Sequence, residues 1–446
     1  MAGQVAGFPF WVASFDESGG LAQPDAIDAF LAELPGQEVT DLFVCSHGWN
    51  NTREMALAMY ERFFEQVAAL LGEPTVRRDA RIGVLGVIWP SIRWADEAVP
   101  APTSPGVPTA AAVARPPPAT DEQLVLDLLP AFPAKQDTVR ELASLLGSRP
   151  RSRRSLRRFK QLMGELADSP DVAPTVEDGG EAGGLVGESR SNPLRVFERF
   201  GNAARTTGGA QPPTADLGDV FDWLWDGAKE ALRQATYWEM KKRAGVVGKL
   251  GLGPLLGRIR AVQPAPRLHL VGHSFGGRLV SYALAGLPAD GGAPPVASLV
   301  LLQGAFSHFA FAEKLPFDPS RAGALAGLAA RVDGPLVVTH SRFDTAVGDL
   351  YPLASIASGD DASAIEDVLF RWGAMGHDGA QAVDAQGVPF GPAGTAAYPF
   401  APGRFVNLDG DAVIAAGGPP AGAHGDIFHP EIAWSVLAAA GIAVAP

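Results

Sequence analysis

Short apolar runs of strand length alternate with helical stretches at both ends of this 446-residue chain, and that rhythm restricts the folds open to it. Phe8–Phe15 is apolar and aromatic and stops at Asp16-Glu17-Ser18-Gly19-Gly20. Ala26–Leu34 reads as a short helix and Leu42–Cys45 as a buried strand. Thr52–Leu71 is a helix in which Met55, Met59, Phe63, Val67 and Leu71 recur at every fourth position. Ile82–Trp89 is strand-like again. The rhythm resumes at Arg267 with a strand, Leu268–Val271, and a helix, Gly276–Leu287. Val296–Gln303 and Pro335–His340 read as strands, and Phe405–Leu408 with Ala412–Ala415 as a late strand region. Pro430–Ala440 is a terminal helix, with Pro430 suited to its first turn. Alternation of this kind favours a mostly parallel sheet covered by helices, the α/β class.

Between the two halves the pattern breaks. Pro100–Thr120 is rich in Pro and Ala, and Glu122–Leu146 looks helical. Arg149–Lys160 is strongly basic, with Arg149, Arg151, Arg153, Arg154, Arg157, Arg158 and Lys160. Its first reading is a solvated helix face balanced by nearby acids. The next is peripheral contact with an anionic membrane surface. Nucleic-acid binding comes last, because only Phe159 interleaves with the cations. Ser169–Asn192 is Gly- and acid-rich with few large apolar residues, and is expected to be mobile. Asp219–Lys249 is a long helical candidate. Residues 1–94 and 219–446 are therefore expected to form the core. Residues 95–218 are expected to be an insertion, a cap or flank that partly covers the site.

Composition removes several classes. Lys and Arg number 36 against 49 Asp and Glu, so the balance is 36 − 49 = −13, unlike the basic surface of a general nucleic-acid binder. The single cysteine, Cys45, excludes an intrachain disulfide framework and a Cys-based zinc site. No uninterrupted apolar run reaches the ~18 residues of a membrane span. The first twenty residues carry no basic n-region and read as a first strand rather than a signal peptide, so the cytoplasm is the expected compartment.

The chemistry concentrates in Leu268-His269-Leu270-Val271-Gly272-His273-Ser274-Phe275-Gly276-Gly277. Here Gly272-x-Ser274-x-Gly276 sits between an apolar strand and a helix, the context a nucleophile elbow requires. Such a turn strains its central residue and lifts the hydroxyl above the sheet. Small residues two before and two after let strand and helix approach. The bland reading is a Gly-rich turn with a structural serine. A serine nucleophile needs a base, and the base needs an orienting carboxylate, in the chain order serine, acid, histidine. Asp344 follows the strand ending at His340, where a strand-end loop would present an acid; its bland reading is a turn or cap residue, and Asp349 is the alternate. For the base, His424 follows the Gly- and Pro-rich loop 417–422 and stands several residues before the last helix. His429, the alternate, abuts the helix start, where packing or capping is its expected role. Oxyanion donors are read at the Phe275 N–H and at the Trp49 N–H, in Cys45-Ser46-His47-Gly48-Trp49. Gly48 would let that loop turn, and His47 would organise it. His47 lacks a partner at metal spacing, so no metal is expected. His269, His273, His308, His340 and His377 read as non-catalytic, and Trp223, Trp225 and Trp238 as core.

In the elbow and the early His47-Gly48, the chain resembles the α/β-hydrolase superfamily, its bacterial lipase- and esterase-like branch. The resemblance covers roughly residues 8–94 and 219–446, and the 95–218 insertion departs from a minimal member. It implies an α/β-hydrolase fold and a Ser274/Asp344/His424 triad, with Trp49 and Phe275 as oxyanion donors, no cofactor, and a small-molecule or lipid-like ester as substrate. An amidase, thioesterase or acyltransferase would use the same groups. From another class, the chain would be a non-catalytic binding protein on that fold.

Overall fold

The computed structural model describes residues 3–91, 94, 120–167, 193–208, 217–262, 265–289, 296–348, 373–418 and 421–444. The Pro-rich stretch over 100–119, the Gly-rich stretch Ser169–Asn192 and the alternate acid Asp349 lie outside the described residues.

Nine described strands form one sheet: β1 (Gly3–Val5), β2 (Phe8–Ser14), β3 (Asp41–Ser46), β4 (Ile82–Ile88), β5 (Arg267–His273), β6 (Val296–Leu302), β7 (Leu336–His340), β8 (Ala385–Pro389) and β9 (Phe405–Asp409). Their order is β1-β2-β4-β3-β5-β6-β7-β9-β8. Every neighbouring pair is parallel except β1 with β2. The α/β class is as read. The central strands are apolar on both faces because helices cover both. Along β3, Leu42 and Val44 point to one apolar interior, Phe43 and Cys45 to the other. Burial pushes the Cys45 thiol well above its ordinary range.

On the Cys45 face lies α2 (Arg53–Leu70), whose N-terminus is capped by Thr52 Oγ1 accepting from Met55 N–H at 3.3 Å. Pro430–Ala439, the last helix, packs on α2. The other face meets α1 (Pro24–Glu33) and the helices that lie between β4 and β5 in the chain: α3 (Asp121–Leu126), α4 (Gln136–Ser148), α5 (Arg153–Ala167), α6 (Pro193–Gly208), α7 (Leu217–Val246) and α8 (Gly253–Arg260). Between α7 and α8 the chain widens into a π-helical turn, Val247–Leu252. After β5 comes α9 (Phe275–Gly286).

The helices between β4 and β5 enclose Phe159, whose ring meets Trp225 edge-on at 5.4 Å and Phe197 at 6.0 Å. That interior continues without a break into the sheet's. Of the basic run, Arg149 pairs with Asp121 and Asp226, and Arg158 with Glu141 and Glu165. Arg151, Arg153, Arg154 and Arg157 are exposed. Among the described residues no helix is long and apolar enough to cross a membrane.

Two local readings need correction. Glu122–Leu146 is not one helix: two 3-10 turns separate α3 from α4, because Pro130 and Pro133 remove amide donors from a continuing helix. Ala412–Ala415 is not strand: the Val413 and Ile414 N–H groups both donate to the Gly410 carbonyl, at 2.9 and 2.6 Å, and close a turn. Edge strand β8 and helix α6 match no expected element, and the N-terminal stretch expected as one first strand is two, β1 and β2.

Phe159 is fully buried where three helices meet, so Phe159→Ala should cost about 3–5 kcal/mol. Urea unfolding measures it. A loss under about 1 kcal/mol would mean that these helices melt apart from the sheet.

Candidate active site

The parallel strands end on one edge of the sheet, and the loops leaving β3, β5, β6, β7 and β9 carry the residues of interest. Ser274 joins β5 to α9 with φ 58° and ψ −125°, a conformation L-residues rarely adopt. A β-carbon on Gly276 would lie 2.1 Å from the Ser46 carbonyl oxygen, so no larger residue fits the turn. Ser274 occupies the N-cap of α9, yet its hydroxyl makes no capping hydrogen bond. A serine placed there for structure would normally cap. Gly48 backs the side chain from the β3 loop: its β-carbon would stand 2.5 Å from Ser274 Cβ and 3.0 Å from Oγ.

Asp344, fully buried after β7, meets His424: His424 Nδ1 lies 3.0 Å from Oδ1 and 2.9 Å from Oδ2. The His424 loop is anchored on several sides. Ala423 N–H donates to the Phe343 carbonyl at 2.8 Å, and Asp426 accepts from the Ala415 and Ala416 N–H groups. The His273 ring packs 5.0 Å from that of His424, and its Nε2 lies 2.9 Å from the His424 carbonyl oxygen, to which it donates. Burial, reinforced by repulsion from His424, lowers His273 to about 3, so it serves as a neutral brace. The structure thus joins His424 to Asp344 and sets them beside the residue preceding Ser274. Among the described residues no hydrogen bond joins Ser274 Oγ to His424. His429 pairs instead with Asp426, Nε2 to Oδ1 at 2.8 Å.

Of the two expected oxyanion donors, Phe275 is the first residue of α9, so its N–H has no partner within the helix. Neither it nor the Trp49 N–H donates to a backbone carbonyl among the described residues. The Trp49 and Phe275 rings lie 6.3 Å apart, and Tyr237 of α7 packs on both, at 5.5 and 4.9 Å. His47 is a loop organiser. Nδ1 lies 2.9 Å from the Gly48 carbonyl, Nε2 lies 3.4 Å from the Trp89 amide, and the ring stacks on Trp89. That pattern places the proton on Nδ1.

Sequence reasoning missed Gln303 at the end of β6 and Thr339 in β7. Gln303 Nε2 donates to Asp344 Oδ2 and to the Gly376 carbonyl, both at 2.9 Å. Thr339 Oγ1 donates to Gln303 Oε1 at 2.8 Å and accepts the Gln303 N–H at 3.1 Å. Their one sequence signal is position at strand ends. The turn Met375–Asp378 that carries Gly376 is tied to the β6 loop by Asp378. Burial raises that carboxyl, but hydrogen bonds from His308 and His377 hold it well below its ordinary value.

A second Ser–His–Asp constellation also exists. His269 in β5 contacts Ser298 Oγ at 2.8 Å through Nδ1 and Asp41 Oδ1 at 3.0 Å through Nε2. All three are sealed in the sheet, and Arg267 also holds Asp41, at 2.5 Å. Ser298 lies within a paired strand, with no strained turn to present it. This set ties strands together. Among the described residues no group of three or more His, Cys, Asp or Glu could hold a metal ion. No protein-family model, curated protein or solved structure matches this chain.

Burial lowers His47 from 6.5 to about 4. The folded chain therefore binds fewer protons than the unfolded one between these values. Stability is full above about pH 6.5 and falls as the pH drops toward about 4, by on the order of 3 kcal/mol from this ring. His47→Gln should be less stable near neutrality yet lose less on acidification, as denaturant midpoints across that range would read. Equal acid losses in both proteins would remove His47 as a source.

Proposed function

We propose that the chain is a serine hydrolase on an α/β-hydrolase-type fold, cleaving carboxylic esters through Ser274, His424 and Asp344. One observation carries the reading: a His424–Asp344 pair at 2.9–3.0 Å, its carboxylate fully buried, packs against His273, the residue before a strained serine whose hydroxyl is not spent on capping. The sealed His269 set lacks that strained, helix-leading serine.

In this reading Ser274 Oγ attacks the ester carbonyl while His424 Nε2 takes its proton. The Ser274–His424 hydrogen bond must close for this step, as catalytic hydrogen bonds commonly do when substrate binds. Asp344 holds the Nδ1 proton of His424 and balances the imidazolium. The carbonyl oxygen, now an anion, takes the Phe275 and Trp49 N–H groups, with the α9 N-terminus adding positive potential. Collapse of the tetrahedral intermediate breaks the ester C–O bond, and His424 returns the proton to the departing alcohol. Water then attacks the acyl-serine, losing a proton to His424, and the acid leaves as Ser274 is restored. Esters are favoured over amides because the alkoxide is the better leaving group.

The test combines a fluorophosphonate probe with p-nitrophenyl esters of rising chain length. The probe should form a one-to-one adduct on Ser274. Ser274→Ala should remain folded and lose several orders of magnitude in turnover. His424→Ala should match it, whereas His429→Ala should act mainly on stability, because its side chain is held by Asp426 rather than Asp344. Turnover within about tenfold of wild type in Ser274→Ala would end the assignment. Loss of turnover in His429→Ala alone would move the base.

A further inference from the structure

We infer that Gln303 is a positioning residue for the acid of this site, a role that rests on the serine-hydrolase reading. Its side chain is fully buried, and both amide hydrogens and the amide oxygen have partners. Both Nε2 hydrogens are committed, one to Asp344 Oδ2 and one to the Gly376 carbonyl. Oε1 receives the Thr339 hydroxyl proton, and that hydroxyl in turn accepts the Gln303 backbone N–H. These four contacts leave one orientation for the amide, because a flip would set Oε1 against a carboxylate oxygen. Gln303 also holds φ 47°, unusual for a residue with a side chain. Strain of this kind persists where surrounding contacts over-determine the backbone, and functional sites are where it concentrates.

The arrangement gives Asp344 two donors of different kinds. Gln303 is neutral and approaches from β6, while His424 approaches from the loop after β9. A buried carboxylate with His424 alone would be free to swing about its χ angles. A donor fixed to two strands and to the Met375–Asp378 turn holds its plane. Gly376 completes the cradle, since a β-carbon there would lie 3.0 Å from Asp344 Oδ2. The role of Gln303 is therefore to keep Asp344 aligned on Nδ1 of His424 while the imidazole becomes charged. Gln303 does not touch substrate. The titratable groups around it are His424 on the carboxylate, His273 behind His424, and His308, Asp378 and His377 around the Gly376 turn.

The experiment uses the full chain with Gln303→Ala, Gln303→Glu and Thr339→Val, each checked for folding by circular dichroism and thermal unfolding. Ester kcat and KM are measured across pH, together with the rate of fluorophosphonate labelling at Ser274. Gln303→Ala should lower kcat about tenfold to a hundredfold, the value of a hydrogen bond to a charged group, with KM changed by less than about threefold. Thr339→Val should act in the same direction and less, because Gln303 keeps its Asp344 contact. Gln303→Glu keeps the shape and removes the donor. Its new carboxyl and Asp344 must share a proton, so the kcat profile should gain an ionisation that wild type lacks. A purely structural role would lower thermal stability in these variants and leave the profile unchanged. A folded Gln303→Ala or Gln303→Glu protein with wild-type kcat and profile overturns the inference while the hydrolase reading stands. A wild-type chain that neither labels at Ser274 nor turns over ester removes the hydrolase reading and this inference with it. Where Gln303→Ala fails to fold, the near-isosteric Gln303→Glu and Thr339→Val carry the decision.

Discussion

Contact between backbones at the β5–α9 turn is the constraint on which the rest of the site depends. A β-carbon on Gly272 would meet the Gly276 carbonyl oxygen at 2.4 Å, and one on Gly276 would meet the Ser46 carbonyl at 2.1 Å. With side chains at either position, β5, α9 and β3 would separate, and Ser274 would relax from its strained conformation. The parallel sheet then does the assembling. Because β3, β5, β6, β7 and β9 run the same way, their carboxyl ends deliver the Gly48 loop, Ser274, Gln303, Asp344 and His424 to one edge. Open parallel sheets commonly gather ligand-binding groups at that edge.

The opposite ends of β3 and β5 show how little a hydrogen-bonding pattern decides by itself. Asp41, His269 and Ser298 reproduce the connectivity of a serine–histidine–acid set. Their surroundings differ. Phe43 stacks on His269 at 4.9 Å, burial is the main force lowering His269, and both ring nitrogens are engaged within the sheet. A polar network this enclosed fixes strand pairing. What separates the Ser274 set is a hydroxyl that makes no capping bond, a helix N-terminus, and backbone N–H groups that donate to no backbone carbonyl among the described residues.

Much of this was readable from residue order. The strand-turn-helix context of Ser274, the loop position of His424 and the strand-end position of Asp344 are local patterns, and local patterns survive in sequence. Gln303 and Thr339 were not readable, because their roles exist only through pairing of β6 with β7 and contact with a turn some seventy residues on. The edge strand β8 escaped for another reason. β8, Ala-Gln-Gly-Val-Pro, is largely exposed and lacks the apolar content that marks a central strand. Conversely, Ala412–Ala415 has strand composition but follows Asp409-Gly410-Asp411. The Asp409 side chain accepts the Asp411 N–H at 2.9 Å, and turn chemistry prevails.

Cys45 lies on the inner face of β3 in an apolar interior, with burial suppressing its thiolate. Thiol reagents act on thiolates that they can reach, so the folded chain is silent toward maleimides and iodoacetamides. It is also the chain's single cysteine. A cysteine introduced at an exposed position such as Phe343, beside Asp344, would therefore be the one reactive thiol in the native protein. A fluorophore or spin label could be installed beside Asp344 without first removing a native cysteine.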